Sequence, residues 1–270
     1  VTPDLDAAAF KALNVDVDHV TIRNLELRNM PQKAVMAYKD FSSGWVVDYC
    51  DIHHNKNGVE LPSDSAVTHN KIHHNVGTPG HSNPAERGGG YAFNAVNAIT
   101  FTDNEVYGNG TEQKWILCTH IICTGNHFHH NANAGPWIDG GGASSIIEDN
   151  LCEENLGPGM YVEIASGVIA RRNTSRRNGE AGLLVSISQG CDVYENTLEQ
   201  NAFGIDLFLD CQRLAEHYPP HPDPALANNS FHDNSIVVGP GQLAVNFALM
   251  GVMSGQQQLV VGGGVESMSR

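Results

Sequence analysis

One unit of the sequence occurs twice in succession between Gly135 and Asn178, and this repeat constrains the fold more than any other feature. The first copy reads GPWIDGGGASSIIEDNLCEEN and the second reads LGPGMYVEIASGVIARRNTSRRN. Superposition of the copies places Trp137 on Tyr161, Asp139 on Glu163, Asn150 on Asn173 and Asn155 on Asn178. A unit this short cannot bury an apolar face alone, so the copies must stack on one another.

Pairs of asparagines five residues apart mark the same unit along most of the chain. They occur at Asn24/Asn29, Asn70/Asn75, Asn104/Asn109, Asn126/Asn131, Asn150/Asn155, Asn173/Asn178, Asn196/Asn201 and Asn229/Asn234. One more unit fits between the first two pairs. In this unit Cys50 takes the position, or slot, of the first asparagine, and Asn55 is the second asparagine. The spacing from one asparagine pair to the next is longer in two places. These places contain residues 77–94 and 210–227, which are predicted to be inserted loops. Stacked asparagines can hydrogen-bond along a solenoid axis, so we interpret them as structural.

Apolar residues alternate with polar ones within each unit, as in Val20 and Ile22 or Ile99 and Phe101. This period of two indicates β-strands, and the runs are too short for helices. Strands that recur every 22 to 24 residues without hairpin signals predict stacked coils. The prediction is therefore an all-β parallel helix of about nine coils over residues 1–240, with three short strands in each coil.

The repeated pattern I-x-x-N-x-φ-x-x-N-x-x-G-φ-x-φ is present at Ile121–Asn131 and Gly182–Val185. It resembles the right-handed parallel β-helix repeat family over about residues 15–238. That family includes polysaccharide lyases, epimerases and glycoside hydrolases, so the resemblance implies a carbohydrate-active protein whose partner is a polysaccharide or oligosaccharide. It also implies a secreted or cell-envelope location, although the sequence shows no signal peptide. Many functions share this fold.

The last part of the chain does not follow the repeat. Residues 241–270 read GQLAVNFALMGVMSGQQQLVVGGGVESMSR. Leu243, Phe247 and Met250 have helical spacing and Leu259–Val261 has strand character, so a helix-strand tail is expected. The stretch resembles a fragment of the thiolase (acetyl-CoA acetyltransferase) family, and GGVESMSR is its most specific match. That family has its nucleophilic cysteine where this chain has Val238, so the segment cannot catalyse acyl transfer alone. The resemblance implies a thiolase-like fragment that arose either from a fusion junction or from a chimeric reading of two genes.

The charge of the chain argues against two classes of partner. Lys and Arg number 15 against 30 Asp and Glu, which gives a formal net charge of −15. Nucleic acids and anionic membrane surfaces both require clustered positive charge. No apolar run is long enough to span a bilayer. The six cysteines lack zinc-ligand spacing, and most are predicted to be buried free thiols.

Strand alternation places the candidate chemistry on the outer face of one sheet. Asp139 and Glu163 point outward on adjacent coils, and a separation of about 4.8 Å suits retaining glycoside cleavage. Trp137 and Tyr161 lie beside them, and the superposition adds Trp115 to the same aromatic column, with Leu117 in the acid position. Aromatic faces next to carboxylates suit sugar rings, so we predict a sugar platform beside an acid pair.

Further polar residues extend this hypothesis. Arg171 and Arg172 belong to the only basic concentration and could hold a uronate carboxylate, although ion pairs of these arginines with Glu153 and Glu154 one coil earlier are the simpler explanation. His130 shares a coil with Trp137 and is a candidate catalytic base, whereas the other turn histidines are interpreted as solvent-facing. The acid pair could instead be a solvated ladder or a Ca²⁺ site, and calcium is the one cofactor considered.

The sequence therefore supports three hypotheses for function. The first is a glycoside hydrolase or polysaccharide lyase that uses the residues above. The second is a non-catalytic module that binds a glycan or a protein along the same face. The third is a fragment of a fusion with an acyltransferase, which is inactive here because the nucleophilic cysteine is missing.

Overall fold

The computed structural model describes residues 8–12, 16–37, 41–77, 88–111, 113–209, 226–237, 243–248 and 260–261. Over these residues the chain is an all-β parallel β-helix, which confirms the predicted fold class. Strands pair in parallel with strands of neighbouring coils. Each coil supplies strands to three sheets, and the third sheet has nine strands, in agreement with the expected number of coils.

The strands are short and are numbered in chain order. Sheet 1 contains β1 (Phe10–Ala12), β4 (Lys33–Ala37), β7 (Asn57–Glu60), β10 (Gly89–Asn94), β13 (Lys114–Thr124), β15 (Trp137–Gly141), β18 (Met160–Ala165), β21 (Ala181–Ser186), β24 (Phe203–Phe208) and β27 (Leu243–Ala248). Sheet 2 contains β2 (Thr21–Arg23), β5 (Val46–Asp48), β8 (Ala66–Thr68), β11 (Asn97–Thr102), the end of β13, β16 (Ile146–Glu148), β19 (Ile169–Arg171), β22 (Asp192–Tyr194), β25 (Ser230–His232) and β28 (Val260–Val261). Sheet 3 contains β3 (Glu26–Arg28), β6 (Asp51–His53), β9 (Lys71–His73), β12 (Glu105–Tyr107), β14 (His127–His129), β17 (Leu151–Glu153), β20 (Thr174–Arg176), β23 (Thr197–Glu199) and β26 (Ser235–Val237).

The core runs along the axis and consists of the middle residues of these strands. In sheet 3 the central residues Ile72, Val106, Phe128 and Cys152 are fully buried. Their outward neighbours on each strand are more exposed, as the alternation predicted. Removing such a column of apolar side chains from water is the main stabilising contribution to each coil.

Two ladders of buried asparagines connect the coils at the turns. The first, between sheets 2 and 3, contains Asn70, Asn104, Asn126, Asn150, Asn173, Asn196 and Asn234. The second, between sheets 3 and 1, contains Asn55, Asn75, Asn109, Asn131, Asn155, Asn178 and Asn201. Each side chain bonds both to the backbone and to the next asparagine, which confirms the structural interpretation of the repeated slot.

The ends of the ladders differ from the sequence pattern. Asn24 and Asn29 have positive φ angles of 56° and 61° and lie one residue before the ladder slots. Asn is tolerated there because its short side chain suits the left-handed region. Asn229 precedes β25 and accepts a hydrogen bond from the Cys191 backbone, so Phe231 lies in sheet 2. The pairs at both ends were therefore assigned wrongly.

The two predicted insertions and the tail are described only in part. Residues 78–87 and 210–225 lie outside the described residues, and residues 89–94 of the first predicted loop form strand β10. The helix predicted from residue 243 is wrong, because β27 pairs in parallel with β24. The predicted final strand is present as β28. Val238 and GGVESMSR lie outside the described residues, so the thiolase resemblance and the boundary at residue 240 stay predictions.

Two smaller predictions also have structural counterparts. In the described part of the chain, no helix is long and apolar enough to cross a membrane. The five cysteines in that part are buried and free. Cys211 lies outside it.

Candidate functional site

The outer face of sheet 1 carries the predicted acid pair in the predicted register. Trp137 is level with Tyr161, and Asp139 is level with Glu163. The intervening Ile138 and Val162 face the core. Superposition of the two sequence copies therefore placed all four outer residues correctly.

The aromatic residues and the acids of this face form one connected group. The rings of Trp137 and Tyr161 are stacked, with centroids 5.0 Å apart and planes 18° from parallel. The indole Nε1–H of Trp137 donates a hydrogen bond to Glu163 Oε2 at 3.1 Å. The aromatic platform thus holds one of the two carboxylates directly.

Lys114 completes the group and was missed by the sequence analysis. Its Nζ donates to Asp139 Oδ2 at 2.8 Å and lies 4.3 Å from the centre of the Trp137 ring. The ammonium therefore makes an ion pair and a cation–π contact at once. Because Asp139 and Lys114 are both largely shielded from water, this ion pair is screened less than one on the surface.

Trp115 is not part of the platform, contrary to the prediction. Trp115 is level with Ile138 rather than with Trp137, and it is fully buried in the core. Its ring packs against Tyr91, with centroids 4.4 Å apart, and against Phe101. Ile116 consequently takes the position beside Asp139, so the prediction that Leu117 lies there is also wrong.

The acid pair is covered even though it faces away from the core. Asp139 is 6% exposed and Glu163 is 0% exposed. The next residue, Ile164, lies outside the main core. It has a φ of 50° and joins Ile187 and Leu209 in a small separate apolar cluster. The carboxylates thus lie in a low-dielectric environment, where charge interactions are stronger than in water.

Arg171 and Arg172 lie on a different sheet from the acid pair. Arg171 ends β19 in sheet 2, and its Nε is 2.7 Å from Glu148 Oε2. Arg172 follows in the turn and bonds Asp149 at 2.9 Å and 3.0 Å. Hydrogen bonds from Arg172 hold the pKa of Asp149 below its usual value. Both guanidinium groups thus have acidic partners one coil earlier, but these are Glu148 and Asp149. The predicted acids, Glu153 and Glu154, pair instead with Arg176 and Arg177.

His130 lies in the turn after β14 and is exposed. Its Nε2 is 2.9 Å from Glu154 Oε2, and its Nδ1 is 2.9 Å from His129 Nδ1. Sheet 3 carries these contacts, whereas the acid pair is on sheet 1. The structure therefore connects His130 with neighbouring turn residues, and its role as a catalytic base stays a prediction.

Calcium at the acid pair also stays a prediction. Calcium takes six to eight oxygen ligands. Here the Lys114 ammonium is already next to Asp139, and the Trp137 indole occupies an oxygen of Glu163. Two sets of three metal-ligating side chains occur among the described residues, and both lie on sheet 3.

The ion pairs that Glu153 makes with Arg176 and His127 lead to a testable prediction about the stability of the protein at low pH. Burial alone would raise the pKa of Glu153, but hydrogen bonds and charges from Arg176 and His127 lower it to about 2. Because this is below its usual value of 4.5, the stabilisation is present above that pH and is lost as the pH falls toward 2. We expect Glu153→Gln to cost about 1 kcal/mol of unfolding free energy at pH 7.

Urea unfolding at pH 7 and at pH 3 measures this effect. The difference between wild type and Glu153→Gln should be smaller at pH 3, where part of the ionic stabilisation of the wild type is already lost. Equal differences at the two pH values would contradict the prediction.

Residues 81–216 match the family described as right handed beta helix region, and this segment is just over half of the chain. The chain belongs to this family. No curated protein was found to match it.

Solved structures of similar fold include the A-module of the Azotobacter vinelandii mannuronan C-5 epimerase AlgE4. Its identity is 16% and its TM-score is 0.65, with 85% of this chain and 62% of that chain covered. A mutant of the periplasmic alginate epimerase AlgG has 15% identity and a TM-score of 0.54, with coverages of 86% and 69%. A mutant tailspike protein of E. coli bacteriophage HK620, in complex with a pentasaccharide, has 11% identity and a TM-score of 0.56, with coverages of 92% and 49%. These similarities concern the fold, and the chain spans less than two thirds of the AlgE4 module and about half of the tailspike.

Proposed function

We propose that this chain is a carbohydrate-active enzyme that cleaves a glycosidic bond of a polysaccharide on the outer face of sheet 1. The observation that carries the proposal is the register of Asp139 and Glu163 beside the stacked rings of Trp137 and Tyr161. Proteins of similar fold that are named as alginate epimerases, and a tailspike in complex with a pentasaccharide, support a glycan as the substrate.

The two carboxyl groups have roles that follow from their partners. Neighbouring strands lie about 4.8 Å apart, close to the carboxyl separation of retaining glycosidases. Asp139, which is ion-paired with Lys114, attacks the anomeric carbon and forms a glycosyl ester. Glu163 donates a proton to the leaving oxygen and then takes one from the water that hydrolyses the ester.

The platform binds the sugar and favours an acidic one. The apolar face of a pyranose packs on the Tyr161 ring, which is more exposed than the Trp137 ring beneath it. The nearby ammonium of Lys114 attracts a uronate carboxylate. A uronate-specific lyase is a variant of this proposal, in which Lys114 neutralises the uronate in place of Arg171 and Arg172.

A panel of neutral and uronic polysaccharides tests the proposal. Reducing ends and the ultraviolet absorbance of unsaturated uronates are measured together on the same samples. New reducing ends alone, with retained anomeric configuration by NMR, support hydrolysis by the acid pair. New reducing ends with unsaturation support the lyase variant. Absence of any product on every substrate contradicts catalysis.

A non-catalytic glycan-binding module is the second candidate, and one observation favours it. Glu163 is fully covered, and the Asp139 carboxylate is ion-paired, so a bound sugar reaches neither without a rearrangement. In this case the acid pair supports the platform, and Trp137 and Tyr161 bind the glycan without cleavage.

Binding by the platform is expected under both candidates. We expect Tyr161→Ala to weaken glycan affinity about tenfold, since a lost aromatic contact costs on the order of 1 kcal/mol or more. Tyr49→Ala is the matched control, because Tyr49 is also a surface ring stacked on a neighbour, His69, but lies at the turn between sheets 2 and 3. Equal loss of affinity in both variants, measured by calorimetry, would contradict a binding face on sheet 1.

A further inference from the structure

The outer face of sheet 3 carries a column of stacked rings that the proposed function does not use. His53, His73, Tyr107 and His129 occupy the last position of successive strands. Successive ring centroids are 4.8, 4.7 and 4.8 Å apart, and the planes are within 9° of parallel. The coil spacing thus fixes the imidazoles of His53 and His73 face to face.

A second histidine in the following turn orients each of these imidazoles. His54 and His74 have φ angles of 55° and 53°, so they turn back toward the strand. Their Nδ1 atoms lie 2.6 Å from His53 Nδ1 and 2.8 Å from His73 Nδ1. Two lone pairs cannot face each other at this distance, so one ring of each pair donates a proton to the other.

The opposite edges of the strand imidazoles face carboxylates. His73 Nε2 is 2.9 Å from Asp51 Oδ1, and His53 Nε2 is 3.1 Å from Glu26 Oε1. Asp51, His53 and His73 each offer one ligand atom, and these three atoms lie within 4.8 Å of one another. Two imidazoles and one carboxylate from two adjacent coils therefore lie close enough for side-chain rotation to bring them onto one ion.

We propose that Asp51, His53 and His73 bind a divalent transition-metal ion of the zinc class. Imidazole and carboxylate together suit zinc, nickel and copper, whereas calcium prefers oxygen ligands alone. Zinc binds nitrogen at about 2.0–2.1 Å and oxygen at about 2.0–2.2 Å, so tetrahedral ligands are about 3.3 Å apart. The Asp51 and His73 atoms need to separate by about 0.4 Å from their present contact of 2.9 Å. The His53 ring, which is stacked 4.8 Å from the His73 ring, has to rotate so that its nitrogen comes closer.

The histidines of the turn supply the outer hydrogen bonds that such a site needs. When His53 and His73 donate Nδ1–H to His54 and His74, their Nε2 atoms carry the free lone pairs. The Nε2 of His73 faces Asp51 and the Nε2 of His53 faces Glu26. Metal-ligating histidines are commonly held in this way by a partner on the other ring nitrogen. Without a metal, His73 can adopt the other tautomer, in which its Nε2–H donates a hydrogen bond to Asp51 Oδ1.

An open groove gives access to this end of the sheet. It has a volume of about 540 Å³, and Met30, Pro31, His54, His74 and Val76 are among its lining residues. The groove reaches the two histidines of the turn but not the three ligands. Asp51 is half-exposed, so a hydrated ion can reach the cluster from the solvent side.

A similar set at Glu105, His127 and His129 is the weaker candidate. His127 Nε2 is already 2.9 Å from Glu153, and Glu153 is also held by Arg176 and Arg177. These two guanidinium groups bring positive charge close to the cluster, whereas one guanidinium, that of Arg28, contacts Glu26 beside the first set. The first set is therefore expected to bind a cation more tightly, and the second provides a matched control.

The test is calorimetric titration of the full chain, without an affinity tag, with Zn²⁺ and separately with Ca²⁺. One tight Zn²⁺ site per chain and much weaker Ca²⁺ binding are expected. His73→Phe, which keeps a ring in the stack, and Asp51→Asn should each weaken that site at least about tenfold. His129→Phe should leave it unchanged, and circular dichroism checks that each variant is folded.

Cobalt gives a second readout that does not depend on the affinity. Wild-type chain with Co²⁺ should show the visible bands of a four-coordinate ion, and Asp51→Asn should lose them. Asp51 is half-exposed, so this variant remains informative where His73→Phe fails to fold. Three outcomes would overturn the proposal: zinc affinity unchanged by both variants, equal loss in His129→Phe, or calcium bound as tightly as zinc.

Discussion

Replacement of Glu163 by glutamine is expected to lower turnover of the preferred polysaccharide by about a thousandfold, with little change in KM. Glutamine keeps the size of the side chain and can still accept the hydrogen bond from Trp137, but it cannot donate a proton to a leaving oxygen. A positioned general acid contributes about 10²–10⁴ in rate. Asp139→Asn should have an effect of similar size, because it removes the nucleophile and the partner of Lys114.

The measurement is kcat and KM of the two variants on whichever polysaccharide the wild type degrades. Glu199→Gln is the control, since Glu199 ends a strand of sheet 3, away from the acid pair, and should keep full activity. Full turnover in both Glu163→Gln and Asp139→Asn would remove the acid pair from the mechanism. Loss of turnover with unchanged glycan binding would assign the pair to chemistry rather than to support of the platform.

The repeat itself made most of the fold predictable. Asn150 and Asn173 occupy equivalent slots in the sequence, and in the structure Asn150 donates directly to Asn173. Because strand side chains alternate, one correct superposition fixes the facing of every residue in the unit. The pairing of Asp139 with Glu163 follows from the same superposition and needed no further information.

Trp115 shows why the same reasoning failed one coil earlier. The tripeptides at residues 115–117 and 137–139 both begin with Trp-Ile, so the sequence aligned tryptophan with tryptophan. In the structure the register is shifted by one residue, because Trp115 fills the core between Tyr91 and Phe101. A shift of one residue turns each side chain to the other face of the strand. Lys114 consequently takes the outward position in which the alignment of the repeats placed the aromatic ring.

Burial of the acid pair and orientation of the histidines depend on contacts that no repeat encodes. The Glu163 side chain is fully buried by neighbouring parts of the structure, although it lies on the outer face of its strand. His53 and His73 were interpreted as solvent-facing turn residues, but they end strands and stack through the coil spacing. The positive φ of the turn brings the next histidine back onto each ring, and this contact appears only in three dimensions.

Replacement of Asn150 by alanine is expected to cost about 3 kcal/mol of stability. Asn150 is buried, and its Oδ1 accepts hydrogen bonds at 2.9 Å from both the backbone and the side chain of Asn126. Its Nδ2 donates to the Cys123 carbonyl at 2.9 Å and to Asn173 Oδ1 at 3.0 Å. Alanine removes all four bonds and leaves buried polar groups without water or a replacement partner, each costing about 1–3 kcal/mol.

The effect should exceed that of a surface asparagine by a wide margin. Asn94→Ala is the control, because Asn94 is exposed at the end of β10 and belongs to neither ladder. Surface changes of this kind usually stay within about 0.5 kcal/mol. Thermal unfolding should show Asn150→Ala melting about 6–12 °C below wild type, with Asn94→Ala close to wild type. If both variants melt together with wild type, the asparagine ladders do not hold the coils, and the recurrence of asparagine at these slots would require a role in binding instead.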